Sequence, residues 1–464
     1  MGVGKKALIT VKGLHTVLPW EPTPHITMSL SNLDTLPAIV GQMVQTLFVY
    51  RRKKGSVSKS GEFISLLRRS LAQVLVPYFP MSGRVRISTQ GRLEICCNEG
   101  GVFFVEAQAN LSLAELCRLD SCEDSNFIFK QFFYSLPLAV PADTPLLIVQ
   151  VTRLRCGGHV MGVRMAHCVA DGNAAIQFLN AWAKMARIGG GGGKPYFERS
   201  LVAPRQPPRI DHHHPEFSLD NEPQSEPISE PITSEHFHIT KEAQEALKNL
   251  ISAQDKSLDC TTFEAVGAHV WKCRTKALGF STSSSKTVKF IFAVDVRTKL
   301  EPQLPPTFYG NAFIDACATA MAKDLVEKPH CYGARLIREA KKSITNSYVR
   351  SAIDYMEMNM KNGLKEVERA EVINASSWCS LPLYDVDFGW GKPFHVGPLG
   401  VDDMQEILFL PSSPSMLQGG LTVLLSLPLS AMARFAEIIH QIQDLNDMPI
   451  AQLSIHRAPR MFGF

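Results

Sequence analysis

The chain has 464 residues, 45% of them hydrophobic and 20% charged, with 31 glycines and 29 prolines. These fractions exclude global disorder, a collagen repeat and a coiled coil, and the length suits two or three domains. The 48 basic and 44 acidic residues leave a net charge of +4, too slight an excess for a nucleic-acid footprint, so the expected partner is a small molecule. None of the 11 cysteines forms a CxxC pair that would suggest zinc or a redox motif. The opening Met-Gly-Val-Gly-Lys-Lys lacks the apolar core of a secretory signal, and Lys6 breaks the myristoylation pattern. The longest apolar stretch, Leu421 to Met432, contains Pro428 and is short of the roughly 20 residues that span a bilayer. A reduced, cytoplasmic, monomeric enzyme with free thiols is expected. The sequons at Asn110 and Asn374 are then accidental.

In chain order, Phe63, Leu67, Leu71 and Val74 recur at three- and four-residue spacing and predict an amphipathic helix over 61–75. It stops before Pro77, and Pro77-Tyr78-Phe79-Pro80 makes a rigid aromatic corner leading to Ser82-Gly83-Arg84. Short strands follow at 93–96 and 102–105. The apolar runs 146–151 and 160–166 flank Cys156-Gly157-Gly158 and predict a hairpin. A helix with Ile176, Leu179, Ala183 and Ala186 on one face comes next. Five glycines, 189–193, then open a proline-rich stretch to about Ser234 that contains His212-His213-His214. This composition predicts a mobile crossover between two domains, 1–188 and 235–464. The Gly-Gly-Lys194 ending is not a phosphate-binding loop, because Ile188 and Pro195 stand where that motif needs Gly and Ser or Thr. The second half restarts with Thr240 as a helix cap, followed by Glu242, Leu247, Leu250 and Ile251. A helix over 260–277, a strand over 288–294, a long helix from about Gly333 to Met360 and a closing helix near 430–445 complete the pattern. Mixed strands and helices without a strict alternating rhythm predict an α/β chain of two mixed-sheet domains.

The chemistry concentrates in His167-Cys168-Val169-Ala170-Asp171-Gly172. A histidine at a strand end, before a helix, is well placed to take a proton from an attacking alcohol or amine. Asp171 could orient His167, cap the next helix or pair with a distant arginine, and Gly172 suggests a tight backbone. A satisfied structural histidine and a simple N-cap are the bland alternatives. No third ligand at sensible spacing makes His167 and Asp171 a metal site. Cys168 points away from His167 on an extended chain, which argues against an activated thiol. Downstream, Ser376-Ser377-Trp378 precedes Leu381-Pro382-Leu383-Tyr384-Asp385-Val386 and Asp387-Phe388-Gly389-Trp390-Gly391, a dense aromatic stretch that could equally be a core corner.

The pairing of His-x-x-x-Asp-Gly with Asp-Phe-Gly-Trp-Gly resembles the plant BAHD acyl-CoA-dependent acyltransferases. Leu75 to Arg84, Gln150-Val151-Thr152, Cys156-Gly157-Gly158, Thr261-Thr262-Phe263-Glu264, Asp295-Val296-Arg297 and Tyr309-Gly310-Asn311-Ala312 continue the likeness in the family's order. The resemblance implies two chloramphenicol-acetyltransferase-like domains joined by a long crossover, with a solvent channel between them. It implies acyl-CoA as co-substrate, no permanent cofactor and no metal. His167 would be the general base. Asp171 would turn away and pair with Arg297. Trp378 and Ser376, the latter where relatives often carry Thr, would donate to the oxyanion. Gly172, Asp387, Gly389, Trp390 and Gly391 would support the fold, and Thr262 and Asn311 would contact CoA or substrate. A thioester is already activated, so a base, an oxyanion donor and a dry channel suffice.

Within the family, Ser31-Asn32-Leu33-Asp34, Cys260 to Ala265 and Ser347 to Tyr355 look most like the feruloyl- and caffeoyl-CoA transferases of ω-hydroxy fatty acids and fatty alcohols. A hydroxycinnamoyl transfer to an aliphatic hydroxyl is therefore expected. N-acylation of a polyamine such as spermidine is the runner-up, with carboxylates from the run Glu366 to Glu371. A non-catalytic CoA-binding relative and a peptide-synthetase condensation domain are the readings from other classes. Intact His167, Asp171, Arg297 and Trp378 argue against the first, and Asp387 to Gly391 against the second.

Overall fold

The computed structural model describes residues 8–37, 39–52, 60–119, 125–136, 144–190, 193–217, 230–280, 286–359, 370–400, 404–414, 419–442 and 451–458. The chain divides into two compact units, and both are discontinuous. The first is Met1–Pro204 with Pro302–Ala312 and Leu381–Leu399; the second is Arg205–Glu301 with Phe313–Ser380 and Gly400–Phe464. The stretch expected as a crossover, 189–234, is thus shared between them at Pro204.

The first unit is built on a six-stranded sheet in the order Ile9–Val17, Val102–Ala109, Leu147–Leu154, His159–Ala166, Met43–Tyr50 and His395–Gly397. Val102–Ala109 and Leu147–Leu154 run parallel while the other neighbours are antiparallel, so the sheet is mixed. Leu147–Leu154 is buried at all but one position, which explains why its first part reads as an apolar run interrupted only by Gln150. It forms the expected hairpin with His159–Ala166, and Gly157 turns it with φ +84°. The late segment Leu381–Leu399 belongs here because His395–Gly397 pairs with Met43–Tyr50 and the Tyr50 hydroxyl donates to the Val386 carbonyl.

Helices Ser60–Val74 and Gly172–Ile188 meet through Trp182, whose indole N–H donates to the Leu67 carbonyl and the Ser70 hydroxyl. Gly172–Ile188 buries Ala174, Ile176, Phe178, Leu179, Trp182 and Ala183 on one stripe. It is capped at its start by Asp171 and closed by Gly189 in the left-handed region.

The second unit carries a seven-stranded mixed sheet in the order Phe313–Met321, Thr287–Asp295, Val372–Ser377, Glu406–Pro411, Leu421–Pro428, Ile232–Ile239 and Ile455–Ala458. Thr240 caps helix Lys241–Gln254, accepting from the Ala243 N–H. Thr261 and Glu264 form a capping box that starts helix Thr262–Ala277.

Three expectations are corrected. The long helix over 333–360 is two helices, His330–Ser343 and Asn346–Asn359. Buried Ile344 leaves helical geometry at ψ 85°, and the Thr345 hydroxyl accepts from the Tyr348 N–H to begin the second helix. The closing helix is shorter than 430–445 and ends at Ile438. The described part of the proline-rich stretch is pinned, not mobile. Asp354 accepts from the Arg205 and Arg209 N–H groups and the Arg205 Nε, and Ser351 accepts from the N–H groups of Asp211 and His212. His214 is buried between Glu216 (2.9 Å) and Ser351 (2.9 Å). Among the described residues no cluster of three or more metal-binding side chains occurs, and no helix is long and apolar enough to cross a membrane. The ten described cysteines are free.

Candidate active site

His167 stands at the end of strand His159–Ala166, in the short 3-10 turn His167–Val169. Its own N–H donates to the Gln42 carbonyl, extending the ladder with Met43–Tyr50 by one bond. Asp171 closes the turn from the other side. One carboxylate oxygen accepts the Ala174 N–H (2.9 Å) as the helix N-cap, and the other accepts the Ala312 N–H (3.0 Å). The same carboxylate thus fixes the helix and draws the segment Gly310-Asn311-Ala312 against the histidine.

That segment brings Asn311 to the imidazole. Asn311 Oδ1 lies 3.1 Å from His167 Nδ1. Its Nδ2 donates to Asp34 Oδ1 (3.0 Å) and to the His167 carbonyl (2.8 Å). Both of those oxygens are acceptors only, so the amide nitrogen must face them and Oδ1 must face the ring. Nδ1 therefore carries the proton, and Nε2 holds the lone pair a general base needs. Burial pushes the His167 pKa below the ordinary histidine value, with Asp171, Asn311 and Asp34 opposing that shift. A lowered pKa keeps the ring neutral, the form that accepts a proton.

Asn311 was expected to contact CoA or substrate. It is fully buried, and its amide is engaged with His167 and Asp34. Asp34 is equally buried. Desolvation raises its pKa, yet the Arg199 guanidinium and hydrogen bonds from Ser31 and Asn311 outweigh that and hold the carboxyl below its ordinary range. Arg199 Nε donates to Asp34 Oδ2 at 2.8 Å, and Nη1 donates to the Phe197 and Tyr309 carbonyls. Gly310 is required beside it, because a Cβ there would collide with the Arg199 guanidinium. Sequence reasoning assigned Asp34 and Arg199 no role.

Gly172 does not have positive φ; what demands a small residue is Leu381, whose Cδ1 would lie 2.7 Å from an added Cβ. Asp387, Phe388, Gly389, Trp390 and Gly391 form a corner of the first unit. Asp387 Oδ1 accepts the N–H groups of Gly389 (2.7 Å) and Gly391 (2.8 Å), both glycines having positive φ. Trp390 stacks on His159 at 4.4 Å and packs at a tilt against Phe63 at 4.5 Å, and Phe388 packs edge-on to Trp182. His159 opens the strand that ends before His167, eight residues or about 26 Å along at about 3.3 Å per residue, so Trp390 packs at the strand end opposite His167.

In the second unit, Ser376 lies in strand Val372–Ser377 and Trp378 follows it. The Trp378 N–H donates to the Phe409 carbonyl, and its ring rests on Leu408, Leu410 and Leu424. Arg297 N–H and Nη1 donate to Asp295. Thr262 is the first residue of its helix. Glu371, at the end of the acidic run proposed for a polyamine, is buried and paired with Lys286 at 2.7 Å. Residues 366–369 of that run lie outside the described residues.

A model of the Transferase family matches residues 7–441. Among curated proteins, an omega-hydroxypalmitate O-feruloyl transferase of Arabidopsis thaliana is 35% identical, over 89% of this chain and 88% of its own. A fatty alcohol:caffeoyl-CoA acyltransferase of the same plant is 33% identical, over 93% and 98%. A taxadien-5-alpha-ol O-acetyltransferase of Taxus chinensis is 34% identical, over 90% and 93%. Of solved structures, vinorine synthase shares the fold with a TM-score of 0.71 at 23% identity, over 92% of this chain and 96% of its own. TRI101 of F. sporotrichioides, complexed with coenzyme A and T-2, reaches the same TM-score at 18% identity, over 89% and 97%. The chain belongs to the Transferase family and is one of the BAHD acyl-CoA-dependent acyltransferases.

Proposed function

We propose that this acyltransferase moves a hydroxycinnamoyl group from its CoA thioester to a hydroxyl on a long aliphatic chain, an alcohol or an ω-hydroxy fatty acid. The observation that carries the substrate class is the full-length similarity to two transferases whose names specify feruloyl or caffeoyl donors and fatty hydroxyl acceptors. The catalytic role rests on His167, with Nε2 unprotonated and the ring neutral. His167 Nε2 takes the hydroxyl proton as the oxygen attacks the thioester carbonyl. The tetrahedral intermediate then expels the CoA sulfur, which recovers that proton from Nε2, so no covalent enzyme intermediate is needed.

For the oxyanion we assign Trp378 and Ser376. Among the described residues neither the Trp378 indole N–H nor the Ser376 hydroxyl has a hydrogen-bond partner, which supports the assignment. Thr262 is kept as a CoA contact, Asp171 and Arg297 as an ion pair, and Gly172, Asp387, Gly389, Trp390 and Gly391 as structural support. Acyl-CoA is the co-substrate, and no permanent cofactor or metal takes part. A monomeric, cytoplasmic state completes the proposal and is read by sedimentation and cell fractionation.

The test is a matrix of feruloyl-, caffeoyl- and acetyl-CoA against a series of 1-alkanols, ω-hydroxy acids and spermidine at two salt concentrations. Each buried methylene adds about 0.8 kcal/mol, so kcat/KM is expected to climb with acceptor length until the channel is filled. Spermidine turned over faster than every alcohol, with high salt suppressing the reaction, would overturn the hydroxyl assignment.

A further inference from the structure

Behind His167 lies a chain of buried polar groups. Asp34 Oδ2 accepts the Ser31 N–H (3.0 Å), the Ser31 hydroxyl (2.7 Å) and Arg199 Nε (2.8 Å). Asp34 Oδ1 accepts the Asn311 N–H (2.9 Å) and Asn311 Nδ2 (3.0 Å). Every group facing this carboxylate is a donor. Asp34 is 0% exposed, so no water substitutes for a lost acceptor, and burial of an unpaired charge would be prohibitive without Arg199. Asn311, in turn, touches His167 with its oxygen.

We infer that Asp34, held by Arg199, is a positioning residue that sets the tautomer of His167 through Asn311. This rests on the assignment of His167 as the base. The chemistry follows from donor and acceptor counts. As long as position 34 offers two acceptor oxygens, Asn311 can present only its nitrogen to it, and the ring must be protonated on Nδ1. A carboxamide at 34 has one oxygen. The Arg199 guanidinium claims it, because charge-assisted bonds are the stronger. The new NH2 then confronts both the N–H and the side-chain NH2 of Asn311, and the side chain relieves its part of that clash by turning its oxygen round, giving up its bond to the His167 carbonyl. The Asn311 NH2 now faces His167 Nδ1, the proton moves to Nε2, and the base loses its lone pair. The Asp34 charge, which raises the His167 pKa, is lost, so the ring stays neutral, and no group proposed to touch substrate has been removed.

The experiment uses the full chain with ¹⁵N-labelled histidine, His167 being identified by its absence from the spectrum of His167→Gln. In the wild type at neutral pH, Nδ1 should carry the proton and Nε2 should be unprotonated; the reverse overturns the inference outright. In Asp34→Asn the protonated nitrogen should switch to Nε2. There kcat should fall at least tenfold, below the ~10⁴-fold that a wrong tautomer costs a catalytic-triad histidine, with KM for acyl-CoA within about twofold. A folded Asp34→Asn protein that keeps Nδ1 protonated overturns the inference, whether its kcat is retained or lost, because a lost rate would then be structural. If that variant does not fold, Asp34→Asn/Arg199→Gln removes the guanidinium left without its carboxylate. A mixed tautomer and lowered kcat are expected, and an unchanged Nδ1 proton overturns the inference. Turnover in folded His167→Ala would instead defeat the base assignment itself, and the spectra distinguish the two failures.

Discussion

Replacing Asp171 by alanine removes two acceptors from a residue that is 6% exposed. The first holds the Ala174 N–H at the helix start, and loss of such a cap costs about 1 kcal/mol. The second holds the Ala312 N–H, which would remain buried without a partner at a cost of about 1–3 kcal/mol. Together these give roughly 2–4 kcal/mol, concentrated in the first unit. At about 2–4 °C per kcal/mol for a unit of this size, the unfolding transition should fall by roughly 5–15 °C. Asp171→Asn is the informative companion. Asparagine caps as well as aspartate but has one oxygen for the two backbone donors, so of these two contributions it should lose that of Ala312 and keep the cap. Scanning calorimetry gives the transitions, and amide hydrogen exchange localises them. Exchange should quicken at Ala312 in both variants, and at Ala174 only in Asp171→Ala. A normal transition in Asp171→Ala, or identical exchange patterns in the two variants, would refute the division of the carboxylate between two jobs.

His167→Ala should lower turnover by about 10²–10⁴-fold with acyl-CoA still bound; a folded variant near wild-type rate would sink the base. Because burial lowers the His167 pKa, the acid limb of kcat/KM should lie below pH 6.5, and a limb above that value contradicts it. Trp390→Ala removes half-buried stacking on His159 and Phe63 and should destabilise the first unit by about 2 kcal/mol. The folded variant should keep kcat within a few-fold; a hundredfold loss would mean the motif reaches the chemistry. His269 is buried with a pKa pushed down to about 4, so the folded chain binds fewer protons there than the unfolded one below pH 6.5. Stability should therefore fall between about pH 6.5 and 4, by about 3 kcal/mol from this residue; His269→Gln should flatten urea-unfolding midpoints over that range, and an unchanged slope refutes it. The proposed Asp171–Arg297 pair predicts a coupling energy above about 0.5 kcal/mol in the Asp171→Asn/Arg297→Gln cycle, whereas additivity means the pair does not exist.

The elements legible in the sequence are those whose pattern is local. Strand Leu147–Leu154 shows in the apolar run 146–151, its hairpin in Cys156-Gly157-Gly158, and helix Lys241–Gln254 in the Thr240 cap before Leu247, Leu250 and Ile251. What local pattern hides is partnership across the chain. Ile344 fits a helical stripe, and only its burial and the cap from Thr345 show that two helices meet there. His212-His213-His214 reads as part of a mobile proline-rich crossover, because Ser351, which holds His214 together with Glu216, lies 137 residues away. Residues 381–399 belong with the first unit for a similar reason: Tyr50 and Trp182 select Val386 and Phe388 from more than 200 positions away. The active site follows the same division. His167 and Asp171 were visible because a strand end and a helix start adjoin in sequence. Asn311, Asp34 and Arg199 were not, since 144 residues separate Asn311 from His167 and 277 separate it from Asp34. Their function lies in which atom faces which, and an asparagine and an aspartate far apart carry no signal of that. A buried carboxylate with five donors around it leaves one orientation for Asn311, and that orientation leaves one proton position on His167. The proposed general base is thus specified by buried residues behind its ring, which is why a change of Asp34 to asparagine is expected to act on kcat while leaving the binding of acyl-CoA intact.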